Sequence, residues 1–419
     1  MFIPQFFRSL REYSLQALQQ DFFAGFTVAC LSIPLALAIA IASGGTPLQG
    51  LTTAIIGGLV VALLGGSRFQ VAGPTGAFVV VVYQIIQQYG LEGLWISMVL
   101  AGIFLVLAGL FRIGKLIYLI PGTVISGFTA GIALVLMSAQ ISNIFGFAVP
   151  AASSFGQNLQ LLWDHGATAQ MYPLLISLAT LSGVILLPRY VPKLPSFAFM
   201  IIILTGLSAF LHFPIMTIGQ RFGNVMQTLP SFAWPELTFA TLGTHFMPAF
   251  TIAILAGIEA LLAAIIADRL SQKPKHQPNT ELMAHGLANI LTATFGGLPV
   301  TGAIARTSAN IRAGAVSPLS GVFQALMIIV IVACLAPWLA AVPLCVLAAL
   351  TAFVAWRILE WDHLVVIFKK GQPTDILVFG LTFILTLWSD LTVAITVGCL
   401  TAGACSLLQT FRDKLQSPT

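Results

Sequence analysis

Two glycine- and proline-broken segments hold the residues best placed to do chemistry. The first is Gly65-Gly66-Ser67-Arg68-Phe69-Gln70-Val71-Ala72-Gly73-Pro74-Thr75-Gly76-Ala77. The second is Gly296-Gly297-Leu298-Pro299-Val300-Thr301-Gly302-Ala303-Ile304-Ala305-Arg306. Each opens on a glycine pair, runs through a short extended stretch and enters small residues able to start a helix. Pro74 lacks a backbone donor at a point where a helix start tolerates the loss. Gly73 and Gly76 allow close backbone approach. Pro299 and Gly302 play the same parts in the second segment. The first N–H groups of a helix have no intrahelical partner and carry partial positive charge, which favours an anion. The donors expected are the backbone N–H groups of Thr75, Gly76 and Ala77, and of Ala303, Ile304 and Ala305. The hydroxyls of Thr75 and Thr301 add to them. The competing reading is that the glycines only allow tight helix crossings. Prolines inside packed spans speak against it.

Two charges join these segments. With every other acid and base assigned to a loop or a span end, Glu259 remains within Ala256-Gly257-Ile258-Glu259-Ala260-Leu261-Leu262, and Arg306 remains one turn into a helix. Charges at membrane depth are costly and face a cavity or a partner. Arg306 is permanently positive and would attract an anion. Glu259 is a carboxylate pulled one way by desolvation and the other by an arginine, so it suits a proton-coupling role. The alternative for both is a static pair that fixes two helices.

The other polar residues say less. His276 and His285 flank a basic loop, His165 and His245 lie near the opposite ends of spans, and His212 and His363 lie at span ends. No two have metal-ligand spacing on one helix face, and surface positions are expected. Gln84, Gln87 and Gln88 read as wet residues on the outward side. Asn289, Ser308 and Asn310 read as helix-packing contacts. Cys30, Cys334, Cys345, Cys399 and Cys405 lie in apolar runs and suit packing. No metal, cofactor or nucleophile constellation is present in the sequence, so an enzyme is not expected.

The elements that must position these residues follow from composition. Of 419 residues, 58% are hydrophobic and 7% charged, with mean hydropathy +0.98. Soluble domains carry about 25% charged residues. The apolar runs are continuous rather than alternating, which predicts an all-α integral membrane protein and not a barrel. The net charge of +5 calls for no nucleic-acid partner. The first twenty residues carry no short apolar run ending in a cleavage site, so no signal peptide is read.

About fourteen transmembrane helices are read, some shorter than the ~20 residues of a full crossing. The first seven have cores at 22–42, 49–64, 75–90, 93–111, 117–142, 172–188 and 196–213. The second seven lie at 247–267, 281–295, 302–314, 317–338, 342–357, 374–388 and 391–410. Placing both termini in the cytoplasm puts Arg112, Lys115, Arg189, Lys193, Arg269, Lys273, Lys275, Arg357, Lys369, Lys370, Arg412 and Lys414 inside. Glu92, Asp164, Glu236 and Asp390 then lie at outward ends, and Arg221 is the base in the outward loop 214–246. This obeys the positive-inside rule. Seven spans per half invert the second half. Gly25 and Gly257 lie 232 residues apart, and Gly65 and Gly296 lie 231 apart. Interrupted spans at matched positions of an inverted repeat point to a transporter's binding site.

These residues resemble the SulP/SLC26 anion transporter family. The resemblance rests on Phe23-Ala24-Gly25-Phe26-Thr27-Val28 with Ile33-Pro34-Leu35-Ala36-Leu37-Ala38, on Gly65 to Thr75, on Gly257 to Leu262 and on Thr301 to Ser308. It runs in order along the whole chain. It implies a 7+7 inverted repeat of the UraA/SLC26 type, with half-helices in the third and tenth spans. A core (spans 1–4 and 8–11) would move against a gate (5–7 and 12–14) in an elevator-like cycle, usually within a homodimer. The implied division is a cytoplasmic segment 1–20, a first repeat 21–213, an outward loop 214–246, a second repeat 247–410 and a cytoplasmic stub 411–419. The implied site is a bacterial inner membrane and the partners are a small anion, protons and lipid.

Within the family, Ser67-Arg68-Phe69, Ala303-Ile304-Ala305-Arg306 and Asn310-Ile311-Arg312-Ala313-Gly314-Ala315 look closest to proton-coupled C4-dicarboxylate carriers. Sulfate and bicarbonate carriers share much of the same pattern. Pro34-Leu35 replaces a Pro-Gln of many eukaryotic members. Sodium-coupled bicarbonate members have an Asp at position 259, a Thr one turn later and hydroxyls on the tenth helix. Here Ala263, Ile304 and Arg306 stand there, and an arginine repels Na⁺. Proton-coupled symport or exchange is therefore expected. Family members usually continue into a cytoplasmic STAS domain, which this sequence does not include. A passive anion channel and a nucleobase–cation symporter of the same architecture are the alternatives.

Overall fold

The computed structural model describes residues 4–9, 13–114, 121–149, 154–191, 196–223, 232–236, 238–271, 275–359, 361–370, 372–388 and 391–416. Lys115, Lys193, Lys273 and Asp390, on which part of the charge argument rests, lie outside them.

The first half contains α1 (Gln5–Ser9), α2 (Leu15–Ala42), α3 (Pro47–Thr52), α4 (Gly58–Leu64), α5 (Val79–Leu110), α6 (Gly122–Ser138), α7 (Ile141–Phe145), α8 (Phe155–His165), α9 (Met171–Tyr190), α10 (Ser196–Phe210) and α11 (Ile218–Phe222). The second half contains α12 (Phe239–Ser271), α13 (Pro278–Thr294), α14 (Ile304–Arg312), α15 (Leu319–Ala340), α16 (Leu344–Ile358), α17 (Trp361–Lys370), α18 (Pro373–Trp388) and α19 (Leu391–Gln416). Two short strands, β1 (Ala72–Gly73) and β2 (Thr301–Gly302), interrupt them.

Local sequence explains the breaks. Ser14 caps α2, accepting from the Ala17 N–H at 3.1 Å, as N-cap hydroxyls do. Thr46, Pro47 and Gln49 form a capping box that restarts the chain at α3. A π turn at Thr53–Gly57 joins α3 to α4, so the second span is one continuous segment. Gly90, at φ 71, breaks α5 where the third and fourth spans were expected to part. Among the described residues the expected spans fall mainly on helix; residues 117–120 of the fifth lie outside them, and the tenth opens in β2. Seven helical segments among the described residues are long and apolar enough to cross a membrane, and four more are apolar at 10–17 residues. The eighth span starts earlier than expected, because α12 already begins at Phe239.

Packing separates two groups. In one, α13 and α12 lie on α5, α15 lies on α2 and α4, and α14 lies on α12 and α2. In the other, α18 lies on α6 and α19, while α16 lies on α9 and α6, and α10 lies on α9. Helix α16 also touches α2, joining the two. These are the core and gate. The repeat shows as exchanged partners. α2 crosses α15, where a Cβ on Gly25 would lie 2.6 Å from the Ser320 carbonyl oxygen. α12 crosses the second half of α5, where a Cβ on Gly257 would meet Leu105 at 3.3 Å. Each first span of a repeat thus packs on the fourth span of the other.

Candidate functional site

The two broken segments meet. β1 and β2 pair antiparallel, with Ala72 opposite Gly302 and Gly73 opposite Thr301. Both strands are buried, which satisfies the rule that non-helical backbone at membrane depth must be enclosed by protein or line a cavity. Side chains from several helices hold the crossing. Asn289 binds the N–H and the carbonyl of Val300, each at 2.9 Å. Thr307 Oγ1 accepts from the Val71 N–H at 3.1 Å. Gln70 Nε2 donates to the Ala260 carbonyl at 3.0 Å. Asn310 Nδ2 donates to the Phe69 carbonyl at 3.0 Å and to Ser320 Oγ at 2.9 Å. Glycine is required at the crossing itself: a Cβ on Gly302 would lie 1.8 Å from Gln70 Nε2, and one on Gly73 would lie 2.3 Å from Arg306 Nη1.

A helix start follows each strand. After β1, a 3₁₀ turn at Gly76–Phe78 leads into α5, with the Phe78 N–H bonded to the Thr75 carbonyl at 3.2 Å. After β2, α14 opens with the Thr307 N–H bonded to the Ala303 carbonyl at 2.8 Å. The N–H groups of Thr75, Gly76 and Ala77, and of Ile304, Ala305 and Arg306, precede these first turns. The Ala303 N–H does not join them. It donates to the Val71 carbonyl at 3.0 Å, because the strand ladder extends one residue further than the sequence suggests.

The side chains depart from expectation in informative ways. Arg306 is 1% exposed. Its Nη2 donates to the Pro74 carbonyl, and its Nη1 has no partner. Glu259 is half-buried and its Oε2 accepts from Thr75 Oγ1 at 2.7 Å. Among the described residues the ion pairs are His276–Asp268 and His285–Glu281, so Glu259 and Arg306 are not joined directly. The Thr301 hydroxyl donates to the Ala256 carbonyl at 3.1 Å. Glu259 and Ile304 line a cavity of about 30 Å³ closed by Val124, Phe128 and Ile395. That is room for about two waters, and it lies between core helices α12 and α14 and gate helices α6 and α19.

Three expectations fail. Glu259 and Arg306 are not the last charges inside: Asp21 and Glu281 are each 0% exposed. Glu281 sits in the first turn of α13 and Asp21 in the second turn of α2, and both read as ordinary loop-side acids. Asp21 accepts from Tyr13 Oη at 2.6 Å, Ser317 Oγ at 2.5 Å and the Val316 N–H at 2.8 Å. Burial, with this carboxylate beside it, pushes the Tyr13 phenol above its ordinary value. The histidines are not all superficial, since His285 is 0% exposed and His276 and His245 are 7% exposed. Asn289 holds the Val300 backbone beside β2 rather than a facing helix, while Asn310 bonds both the Phe69 carbonyl and Ser320 of the facing helix α15. For Asn289, an Asn one turn after His285 in an otherwise apolar run was the available signal.

Comparison with known proteins agrees with this architecture. The sequence model of the sulfate permease family matches residues 18–382. "Putative sulfate transporter YvdB" of Bacillus subtilis (strain 168) is 39% identical over 393 residues, covering 93% of this chain and 74% of that protein. "Bicarbonate transporter BicA" of Picosynechococcus sp. is 30% identical over 402 residues, covering 92% and 70%. The solved transmembrane domain of a cyanobacterium bicarbonate transporter BicA superposes with TM-score 0.80 at 29% identity, covering 93% of this chain and 98% of that one. Murine Slc26a9 in the inward-facing state gives TM-score 0.86 at 17% identity over 97% of this chain and 71% of that one, a likeness of fold. A buried strand crossing between two half-helices, a core and a gate around it and this family match together make the chain a member of the sulfate permease (SulP/SLC26) family of membrane anion transporters.

Proposed function

We propose that the protein is a secondary active transporter that carries a small anion, such as sulfate, bicarbonate or a C4-dicarboxylate, with protons by symport or exchange. The anion binds at the strand crossing, against the N–H groups of Thr75, Gly76 and Ala77 and of Ile304 and Ala305. Gly73, Pro74, Thr301, Gly302 and Ala303 shape that backbone. The observation that carries the reading is Arg306, a buried guanidinium whose Nη1 has no protein partner beside a helix start. A buried cation left half-unsatisfied calls for an anion.

Glu259 is the coupling group in this reading. It reaches the Thr75 hydroxyl from the cavity between core and gate. Proton arrival at Glu259 and anion arrival at Arg306 would offset one another's charge. The core then moves past the gate in an elevator-like step, within a homodimer. Termini lie in the cytoplasm of a bacterial inner membrane, as the loop charges favour. The repeats run over 21–213 and 247–410.

The test is uptake into proteoliposomes with sulfate, bicarbonate, fumarate, succinate and chloride in competition, with and without a pH gradient. Accumulation of one anion driven by inward protons is the expected result. Uptake that never exceeds equilibrium, with currents following the anion potential, would show a channel instead. Tight uracil or xanthine binding would overturn the anion reading.

A further inference from the structure

The two arms are anchored at matched positions by unlike groups. Ser67 and Leu298 lie 231 residues apart, as Gly65 and Gly296 do. The Leu298 N–H is held by Thr53 Oγ1 at 2.7 Å. The N–H groups of Gly66 and Ser67 are held by Glu281 Oε2 at 2.6 and 2.7 Å. A neutral hydroxyl therefore suffices to anchor this turn, and the carboxylate brings a titratable charge that anchoring does not require.

Glu281 is 0% exposed and its Oε1 has no hydrogen-bond partner. His285, one turn further along α13 and also 0% exposed, places Nδ1 3.6 Å from that oxygen. The same Nδ1 lies 3.0 Å from the Glu281 carbonyl. A carbonyl only accepts, so Nδ1 carries the hydrogen in the neutral ring. Its hydrogen is then committed to the backbone, and Oε1 is left bare. His285 Nε2 is also buried without a partner. Such orphaned buried atoms ask for an explanation.

Among the described residues no lysine or arginine is hydrogen-bonded to or ion-paired with Glu281; Arg68 follows Ser67 in the turn that it holds, and Lys275 is exposed. α4, the π turn and residues 93–110 of α5, all packed against α13, carry no charged residue. α12 brings Asp268, within electrostatic reach of Glu281. The connection from α12 to α13 brings His276, whose Nδ1 is taken by Asp268 Oδ2 at 2.7 Å. Among the described residues, the basic side chain within 4.0 Å of the Glu281 carboxylate is the His285 ring.

We infer that Glu281 is a proton-binding site separate from Glu259, with His285 as the neighbour that sets where it titrates. One proton from solution bonds to Oε1 and turns a buried anion neutral; no other bond is made or broken. The two N–H bonds to the carboxyl group then lose their charge assistance. They fix the turn that leads, five residues on, into β1 and Gly73. The proton thus loosens one arm of the crossing, while the arm held by Thr53 does not respond.

The test is infrared difference spectroscopy of the full chain in lipid, without anion, as pH falls from about 8 to about 5. A carboxylic-acid C=O band should appear in the wild type and in Glu259→Gln, and lose the Glu281 component in Glu281→Gln. An unchanged band in Glu281→Gln overturns the site. Should that variant fail to fold, His285→Leu serves instead. A midpoint moved by about half a pH unit or more is expected, and an unmoved midpoint overturns the inference. No anion takes part, so the outcome is independent of whether the transport reading survives.

Discussion

The arm through β1 and the arm through β2 share a backbone and differ in charge. Both leave a glycine pair, form one strand of the same two-residue ladder and turn into a helix. At the helix start, however, the first arm brings Thr75, the residue before its opening turn, and the second brings Arg306, the third residue of α14. The first donates a hydrogen bond to Glu259, and the second reaches across to Pro74. One arm continues into Val79-Val80-Val81-Val82, the other into Arg306-Thr307-Ser308-Ala309-Asn310. The symmetric part builds a place for backbone donors. The asymmetric part brings one permanent cation and one acid to adjacent residues, Pro74 and Thr75. A repeat can therefore preserve geometry, which backbone sterics dictate, while its side chains diverge in chemistry.

The largest effect expected from breaking this asymmetry is at the acid. Glu259→Gln removes the titratable group while keeping the acceptor for Thr75, so gradient-driven accumulation should vanish and anion exchange should persist. Proteoliposome uptake with and without a pH gradient reads this directly, and undiminished accumulation would remove Glu259 from coupling. Arg306→Gln comes next. Losing a charged hydrogen-bonding group costs about 1.5–3 kcal/mol, so anion affinity should fall roughly 10- to 150-fold by calorimetry. An unaltered Kd would return Arg306 to a purely structural role.

The shared geometry is tested by Gly302→Ala. The added Cβ overlaps Gln70 Nε2, and overpacking of this kind costs about 1–3 kcal/mol, seen as a lower melting temperature. Gly403, which has open space around it, should accept alanine without loss. The smallest effect belongs to the neutral anchor. Thr53→Val deletes the acceptor of the Leu298 N–H and should cost about 1 kcal/mol of stability, equally at acid and neutral pH. A pH-dependent loss there would erase the contrast with Glu281.

Legibility varied with the range of the interaction concerned. Gly90, Pro74 and Pro299 act on their own backbone torsions, so span ends and broken segments were readable. Loop charges gave the seven-plus-seven count, because short basic loops report topology rather than contacts. The donor status of Ala303 was not readable, since its N–H is consumed by Val71, 232 residues away. Thr301 misled for the same reason: its hydroxyl looks free in sequence and is bound to Ala256 in space. Glu281 sits at a helix start, where acids are ordinary, Asp21 precedes the apolar run of the first span, and only the folded chain encloses them.

The sequence alone determined that this chain spans a membrane, that its halves repeat and that two spans are broken by glycine and proline. Hydropathy, torsional limits and loop charge are properties of local composition, and they survive without a fold. Tertiary structure decided that the broken segments pair with each other, that Glu259 and Arg306 stay apart, and that Glu281 rather than a second threonine holds the β1 arm. Each of these depends on which distant group removes water from a donor or a charge, and that is fixed only when the helices pack.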